Sequence, residues 1–100
     1  MRRAARTDAN QSEIVAYARA LGASVIDLSG VGRGVPDLLI GVPGANDLWE
    51  IKDGAKPKRA QKLTRAEFEF HEGYRGPCCI VRSLADARER LDWLRKTTQR

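Results

Sequence analysis

The amino-acid sequence predicts an α/β domain with a mixed β-sheet flanked by helices, in the order α-β-β-β-α-β-α. Segments whose apolar residues recur every three or four positions, the spacing of a helix, alternate with short apolar runs bounded by glycine or proline, which are typical of strands. The chain has 100 residues, of which 42% are apolar and 31% charged. This size and balance suit one core, so we expect residues 1–100 to form a single domain.

The first helix and the first strand are predicted between residues 10 and 28. Asn10 can cap the free amides of a helix, and Glu13 follows three positions later, as in a capping box. Gly22 is a typical helix end, and residues 24–28 are predicted as the first strand. The apolar face of this helix consists of Ile14, Ala18 and Leu21.

A hairpin is predicted next. The segment from Ser29 to Gly34 contains three glycines and is predicted as a loop. Residues 37–41 and 47–52 are the second and third strands, joined by a turn at residues 43–46. Because the intervening turn is short, the two strands are expected to pair with each other.

The second half of the chain is predicted to contain two helices and one strand. Residues 53–62 are polar and basic, which predicts a loop. Thr64 and Glu67 form a capping box for a helix that runs to about Tyr74. A short apolar strand at residues 78–81 precedes a last helix capped by Ser83.

Composition excludes several classes of protein. No apolar run approaches the roughly 18 residues of a membrane span, and no apolar segment of a secretory signal follows the basic start. We therefore expect no membrane partner and a cytoplasmic location. Cys78 and Cys79 are adjacent and His71 is the only histidine, so disulfides and structural zinc are not expected. The net charge of +5 suits a polyanionic partner.

Three residues form the candidate catalytic group. Side chains alternate along a strand, so Glu50 and Lys52 point to the same face of the third strand. Asp37 follows Pro36 at the start of the paired strand, and the hairpin can place it beside Glu50. Two carboxylates and an amine are then expected to converge on one spot.

These groups are the ones that hydrolysis of a phosphodiester needs. Carboxylate oxygens bind Mg²⁺, which keeps most of its waters and needs only one or two protein carboxylates. The metal polarises the phosphate and lowers the pKa of a water, while a nearby ammonium offsets the charge that develops. The residues therefore predict metal-dependent phosphodiester chemistry.

The motif Gly34-Val35-Pro36-Asp37, followed by Glu50-Ile51-Lys52, resembles the PD-(D/E)XK nuclease signature. More narrowly, the chain resembles the stand-alone VRR-NUC domains, many of them from phages. The resemblance extends from the first helix to the strand at Cys78. It implies a restriction-endonuclease-like core and an endonuclease that cuts DNA with Mg²⁺ or Mn²⁺, in a phage-infected or bacterial cell. Branched DNA, such as a Holliday junction, is among the substrates that it implies.

The resemblance also implies residues around this centre. Asp37 and Glu50 are the expected metal ligands, together with Ile51 between Glu50 and Lys52. The family often has an acidic residue on the first helix that assists the metal. Asp8 and Glu13 compete for that role, and Glu13 is the candidate adopted here.

A glutamine on the helix after the EXK strand is a further family feature. Gln61 lies just before that helix and is the candidate catalytic glutamine. Glu67 occupies a plausible equivalent position, but its place in the capping box explains it without catalysis.

Basic residues after the EXK strand are expected to contact the DNA backbone, which gives affinity without sequence preference. A run of charge alone is usually a solvated face, but its position next to a candidate nuclease centre favours phosphate contact. The expected contacts are Arg33 in the glycine loop and Lys56, Lys58, Arg59 and Lys62 after the strand.

Two further expectations concern assembly and the alternative function. One such centre cuts one strand, so a homodimer is expected, with Trp93 on the last helix as possible interface material. The alternative function is a DNA-binding or scaffold module without catalysis, and a subunit that needs a larger partner is a third. The complete trio of Asp37, Glu50 and Lys52 favours the nuclease.

Overall fold

A computed structural model describes residues 9–98 of the chain. It has a four-stranded mixed sheet and three helices, which confirms the predicted α/β class. Asp8, one of the two first-helix candidates, lies outside the described residues. Within residues 9–98, no helix is long and apolar enough to cross a bilayer. The elements in chain order are α1 (Gln11–Ala20), β1 (Ser24–Asp27), β2 (Leu38–Val42), β3 (Ala45–Ile51), a 3-10 turn (Lys58–Gln61), α2 (Arg65–Gly73), β4 (Cys78–Val81) and α3 (Leu84–Thr98).

The strands lie side by side in the order β1-β2-β3-β4. β1 pairs with β2, and β2 with β3, in antiparallel fashion, whereas β4 joins β3 in parallel. β4 can run parallel to β3 because α2, which lies between them in the sequence, returns the chain to the end of the sheet at which β3 begins. β1 and β4 are therefore the two edge strands.

The hydrophobic core covers one face of the sheet. Trp49 and Ile51 point to this face from β3 and are 0% and 1% exposed. The buried residues Ile14 and Ala18 of α1 and Leu91 of α3 pack in the same cluster. Glu50 and Lys52 alternate with these core residues and so point to the opposite face, where α2 lies. The predicted alternation along β3 thus separates the core from the candidate site.

The predicted capping box at the start of α1 is wrong. The helix does begin after Asn10, but the Asn10 side chain makes no capping hydrogen bond. Its Nδ2 donates instead to the carbonyl oxygens of Lys52 and Arg82, at 3.1 and 3.2 Å. With Nδ2 bound to these carbonyls at the ends of β3 and β4, Oδ1 accepts no hydrogen bond from the first amides of the helix, and Asn10 ties α1 to both strands.

The other helix starts follow the sequence. Thr64 and Glu67 form the predicted capping box of α2, with both reciprocal hydrogen bonds present. Ser83 Oγ accepts a hydrogen bond from Asp86 N at 3.1 Å at the start of α3. Local side-chain to backbone bonds suffice to set these two boundaries.

The β2–β3 turn is shorter than predicted. Val42 pairs directly with Ala45, which leaves only Pro43 and Gly44 as turn residues. Pro43 presets a negative φ at the first position and Gly44 adopts a φ of +84° at the second, as a type II turn requires. β3 therefore begins two residues earlier than the predicted start at Asp47.

Candidate active site

Asp37 lies against the end of β3. Its Oδ2 accepts a hydrogen bond from the backbone N of Ile51 at 2.8 Å. Leu38 pairs with Trp49 in the ladder between β2 and β3, so the Asp37 carboxylate takes the next place along that ladder. This contact fixes the carboxylate beside Glu50, as the sequence predicts.

Lys52 joins Asp37 and Glu50 on the same face. Its Nζ lies 3.7 Å from Glu50 Oε2 and 2.9 Å from Glu67 Oε1. The side chains are largely buried, with exposed fractions of 11% for Lys52 and 4% for Glu50. The structure thus brings the predicted trio together and adds a third carboxylate from α2.

Glu67 serves the helix cap and the site with one oxygen. Glu67 Oε1 accepts the backbone N–H of Thr64 at 2.9 Å and the ammonium of Lys52 at 2.9 Å. Partial burial acts to raise the pKa of Glu67, but the Thr64 hydrogen bond and Lys52 outweigh it and hold that pKa below its usual value. Glu67 is therefore an anion that both begins α2 and holds Lys52 in place.

The pKa values of Asp37 and Glu50 are shifted in the opposite direction to that of Glu67. Burial, followed by the charges of Asp37 and Glu67, raises the pKa of Glu50 to about 9, against the lowering effect of Lys52. Burial also raises the pKa of Asp37, although the hydrogen bond from Ile51 opposes it. Glu50 Oε1 is buried and has no hydrogen-bond partner among the described residues. A raised pKa of this kind favours a proton on the pair at neutral pH when no cation is bound.

This donor set fits a hard divalent cation. No group of three or more His, Cys, Asp or Glu side chains within residues 9–98 is placed to hold a metal ion. Mg²⁺ does not need such a group, because it binds through one or two carboxylates and keeps its waters. The Ile51 N–H points to Asp37, and in an extended strand the carbonyl of the same residue faces the same side. Asp37, the orphaned oxygen of Glu50 and the Ile51 carbonyl thus share one small region.

Glu13 and Gln61, two further predicted site residues, lie together in the structure. Both line a cavity of about 460 Å³ between α1 and the loop after β3. Gln61 Nε2 donates to the carbonyl of Lys56 at 2.7 Å, and its Oε1 accepts from Arg82 Nε at 3.0 Å. Both ends of the Gln61 amide therefore have partners that fasten the loop after β3. Glu67 stands at the Lys52 ammonium instead.

The predicted backbone-contact loop is exposed beside the site. Asp53 shapes the start of this loop. Its side chain accepts a hydrogen bond from Ala55 N, and its backbone carbonyl accepts one from Lys56 N. Gly54 N then donates to the Arg82 carbonyl at the end of β4. The exposed cations of this loop are Lys56, Lys58, Arg59 and Lys62.

Arg33 is held in an unusual backbone conformation. Its φ of 60° is the only positive value for a residue other than glycine within residues 9–98, and Gly32 and Gly34 on either side have φ of 80° and 79°. Val35 N donates to the Gly32 carbonyl, which closes a tight turn. A Cβ at Gly34 would overlap the backbone of Ala66, so the turn packs on the first turn of α2. Arg33 is therefore exposed on a turn that packs against the first turn of α2.

We compared the chain with protein-family models, with curated proteins and with solved structures. None of the three comparisons gives a match. What this chain does is therefore inferred from its own residues and their geometry.

Proposed function

We propose that the chain is a metal-dependent DNA endonuclease of the PD-(D/E)XK superfamily, with the restriction-endonuclease-like core of VRR-NUC domains. One observation carries the proposal. A nearly buried lysine ammonium lies within 4 Å of two carboxylates, and one of these, Glu50, has a second oxygen without any partner among the described residues. A scaffold or purely DNA-binding module has no use for such a costly arrangement of buried charge.

Asp37, Glu50 and the carbonyl of Ile51 would hold Mg²⁺ or Mn²⁺. The cation, when bound, polarises the phosphate and lowers the pKa of the attacking water. The protein residues hold this region rigidly, since the Ile51 amide fixes Asp37 and burial restrains Glu50. The proton that the pair retains without metal would leave when the cation binds.

Lys52 would supply a second positive charge at the site, in addition to that of the cation. Its ammonium is fixed by Glu67 at 2.9 Å, so it stays oriented towards the space beside Glu50. From there it would donate a hydrogen bond to a phosphate oxygen or to the attacking water and offset developing negative charge. Glu67 does not touch the substrate in this scheme and acts as a positioning residue.

The DNA backbone would bind along the basic side of the site. Arg33 approaches from the turn before Asp37, and the loop after β3 offers Lys56, Lys58, Arg59 and Lys62. Phosphate contacts of this kind give salt-dependent affinity without sequence information. One centre cuts one strand, so cleavage of a duplex or a branched junction would use two copies of the chain.

Cleavage of labelled DNA tests the proposal directly. Purified protein is incubated with a four-way junction and with the matched linear duplex, in Mg²⁺, in Mn²⁺ and in excess chelator. We expect cutting only with a cation and only when Asp37 is intact, so that Asp37→Asn is inactive. Asn retains an oxygen that can accept the Ile51 hydrogen bond, which preserves the local fold.

Glu72→Gln provides the control, because Glu72 is an exposed carboxylate on the same helix as Glu67. It should cut at the rate of the unchanged protein. Tight DNA binding without cutting in either metal would instead identify the chain as a non-catalytic binding module.

A further inference from the structure

The cavity between α1 and the loop after β3 opens beside the proposed centre. Asn10 lines it and binds the Lys52 carbonyl at 3.1 Å, so the cavity begins next to the last residue of the catalytic trio. Gly54 and Ala55 of the loop also line it, and the N–H of Gly54 fastens the loop to the Arg82 carbonyl at 3.0 Å. The volume of about 460 Å³ is in the range of sites that hold small ligands.

The wall of this cavity carries both hydrogen-bond donors and acceptors. Arg82 Nε donates to Gln61 Oε1 at 3.0 Å, which fixes the guanidinium there, and the Nη atoms of Arg82 bind no other residue within 9–98. Glu13 lines the same cavity, and its carboxylate forms no ion pair with the residues that the structure describes. Asn10 Oδ1 is buried and also lacks a partner among them. A ligand that both accepts and donates hydrogen bonds would satisfy these groups.

The charges of the cavity distinguish a nucleobase from a phosphate. A phosphate would be attracted by Arg82 but repelled by the Glu13 carboxylate, so an anionic ligand gains little here. The edge of a nucleobase is neutral and carries N–H donors beside oxygen or nitrogen acceptors, which match Glu13 and Arg82. Leu84 adds an apolar part of the wall for the face of the base. The exposed cations of the loop that contains Ala55 leave the phosphates on the rim.

We infer that this cavity receives an unpaired nucleobase of the bound DNA, whose edge is hydrogen-bonded by Glu13 and Arg82. The inference rests on the proposed function and names its substrate class, which is DNA with an unpaired nucleotide near the phosphate that is cut, as in a bulge or a flap. Taking a base out of a duplex costs stacking and pairing energy, and the cost is least for a base that is already unpaired. A continuous duplex is therefore the poorer ligand.

Fluorescence anisotropy in excess chelator tests the cavity with two duplexes that differ at one bulged position, which carries a guanosine in one and an abasic sugar in the other. The two DNAs have the same number of phosphates, so backbone contacts cancel from the ratio of their dissociation constants. We expect the unchanged protein to bind the bulged guanosine roughly tenfold more tightly.

Two variants and a control locate the effect. Ala55→Leu adds a branched side chain at the cavity wall, and Glu13→Ala removes an acceptor, so each should bring the ratio close to one. Ala60→Leu is the matched control, because Ala60 is exposed on the same loop and does not line the cavity, and it should retain the ratio of the unchanged protein.

Equal affinity of the unchanged protein for the two duplexes overturns the inference. So does an unaltered ratio in either Ala55→Leu or Glu13→Ala, or the loss of the ratio in Ala60→Leu as well, when the circular dichroism spectra show that the variants fold. The chelator prevents metal-dependent cutting during the binding measurement, and cutting is assayed separately with Mg²⁺. Equal affinities beside normal cutting contradict the base cavity alone, whereas base-dependent binding without cutting contradicts the proposed catalysis alone.

Discussion

The ammonium of Lys52 lies 2.9 Å from Oε1 of Glu67, the same oxygen that caps α2 through the amide of Thr64. The α2 helix has no fully buried residue, and this contact adds to the close packing of Gly34 on Ala66 in holding the first turn of the helix over the sheet. The position of Lys52 and the start of α2 are consequently coupled through a single carboxylate.

Substitutions can separate the two roles of Glu67, which are to cap α2 and to hold Lys52. In Glu67→Gln the side chain still completes a capping box, so the free energy of unfolding should change little. The charge that holds Lys52 is lost, and we expect the cleavage rate to fall roughly tenfold or more. Thr64→Ala should do the reverse, losing about 1 kcal/mol of stability while retaining the rate. Urea unfolding beside single-turnover cleavage distinguishes them, and a fully active Glu67→Gln would remove Glu67 from the mechanism.

The raised pKa of Glu50 predicts how the metal-free protein responds to pH. With a folded pKa of about 9 against an ordinary value of 4.5, the folded state binds more protons than the unfolded state between these values. The free energy of unfolding therefore decreases as pH rises from about 5 to about 9. Melting temperatures in chelator should follow this trend, and Glu50→Gln should flatten it. A curve identical to that of the unchanged protein would show that Glu50 does not carry the proton.

Cation binding should reverse that loss of stability. A divalent ion held by Asp37 and Glu50 would replace the proton there, and a ligand at 100 times its dissociation constant stabilises the fold by about 2.7 kcal/mol. We expect Mn²⁺ to raise the melting temperature most at alkaline pH, and Asp37→Asn to abolish the rise. An equal rise in Asp37→Asn would locate the ion elsewhere.

The salt dependence of DNA binding tests the basic loop and Arg33. Replacing Lys56, Lys58 and Arg59 by alanine should weaken binding to all sequences alike and reduce the slope of log affinity against log salt by about 0.9 per lost contact. Arg33→Asn should reduce the slope by about one such step while retaining stability, because asparagine enters the left-handed region readily. Unchanged slopes would mean that these side chains are only solvated.

The centre of the site could be predicted from sequence because short-range geometry determines it. Alternation along β3 places Glu50 and Lys52 on one face, and a short hairpin brings Asp37 beside them whether its turn has two residues or four. The capping box of α2 was equally local. These features needed no knowledge of the distant parts of the chain.

The residues around the centre of the site could not be predicted in the same way, because contacts between distant parts of the sequence determine their positions. Asn10 fits a helix cap, yet its amide reaches carbonyls of Lys52 and Arg82, which are 42 and 72 positions away. The sequence offers both Gln61 and Glu67 as residues that could lie near Lys52. Their spacing from Lys52 does not show which of the two side chains reaches its ammonium. The packing of Gly34 on Ala66 fixes α2 there, and no local pattern encodes that contact.

The measurement that bears most directly on the proposed centre combines Mn²⁺ calorimetry with single-turnover cleavage for three proteins. The unchanged protein should bind the ion and cut DNA. Asp37→Asn should lose both properties, and Lys52→Met should bind Mn²⁺ but cut about 100-fold more slowly or worse, since in the proposed mechanism lysine would act on the phosphate or the water and not on the metal. Cleavage that persists in chelator, or at an unchanged rate in Asp37→Asn, would contradict a metal-dependent centre at Asp37, Glu50 and Lys52.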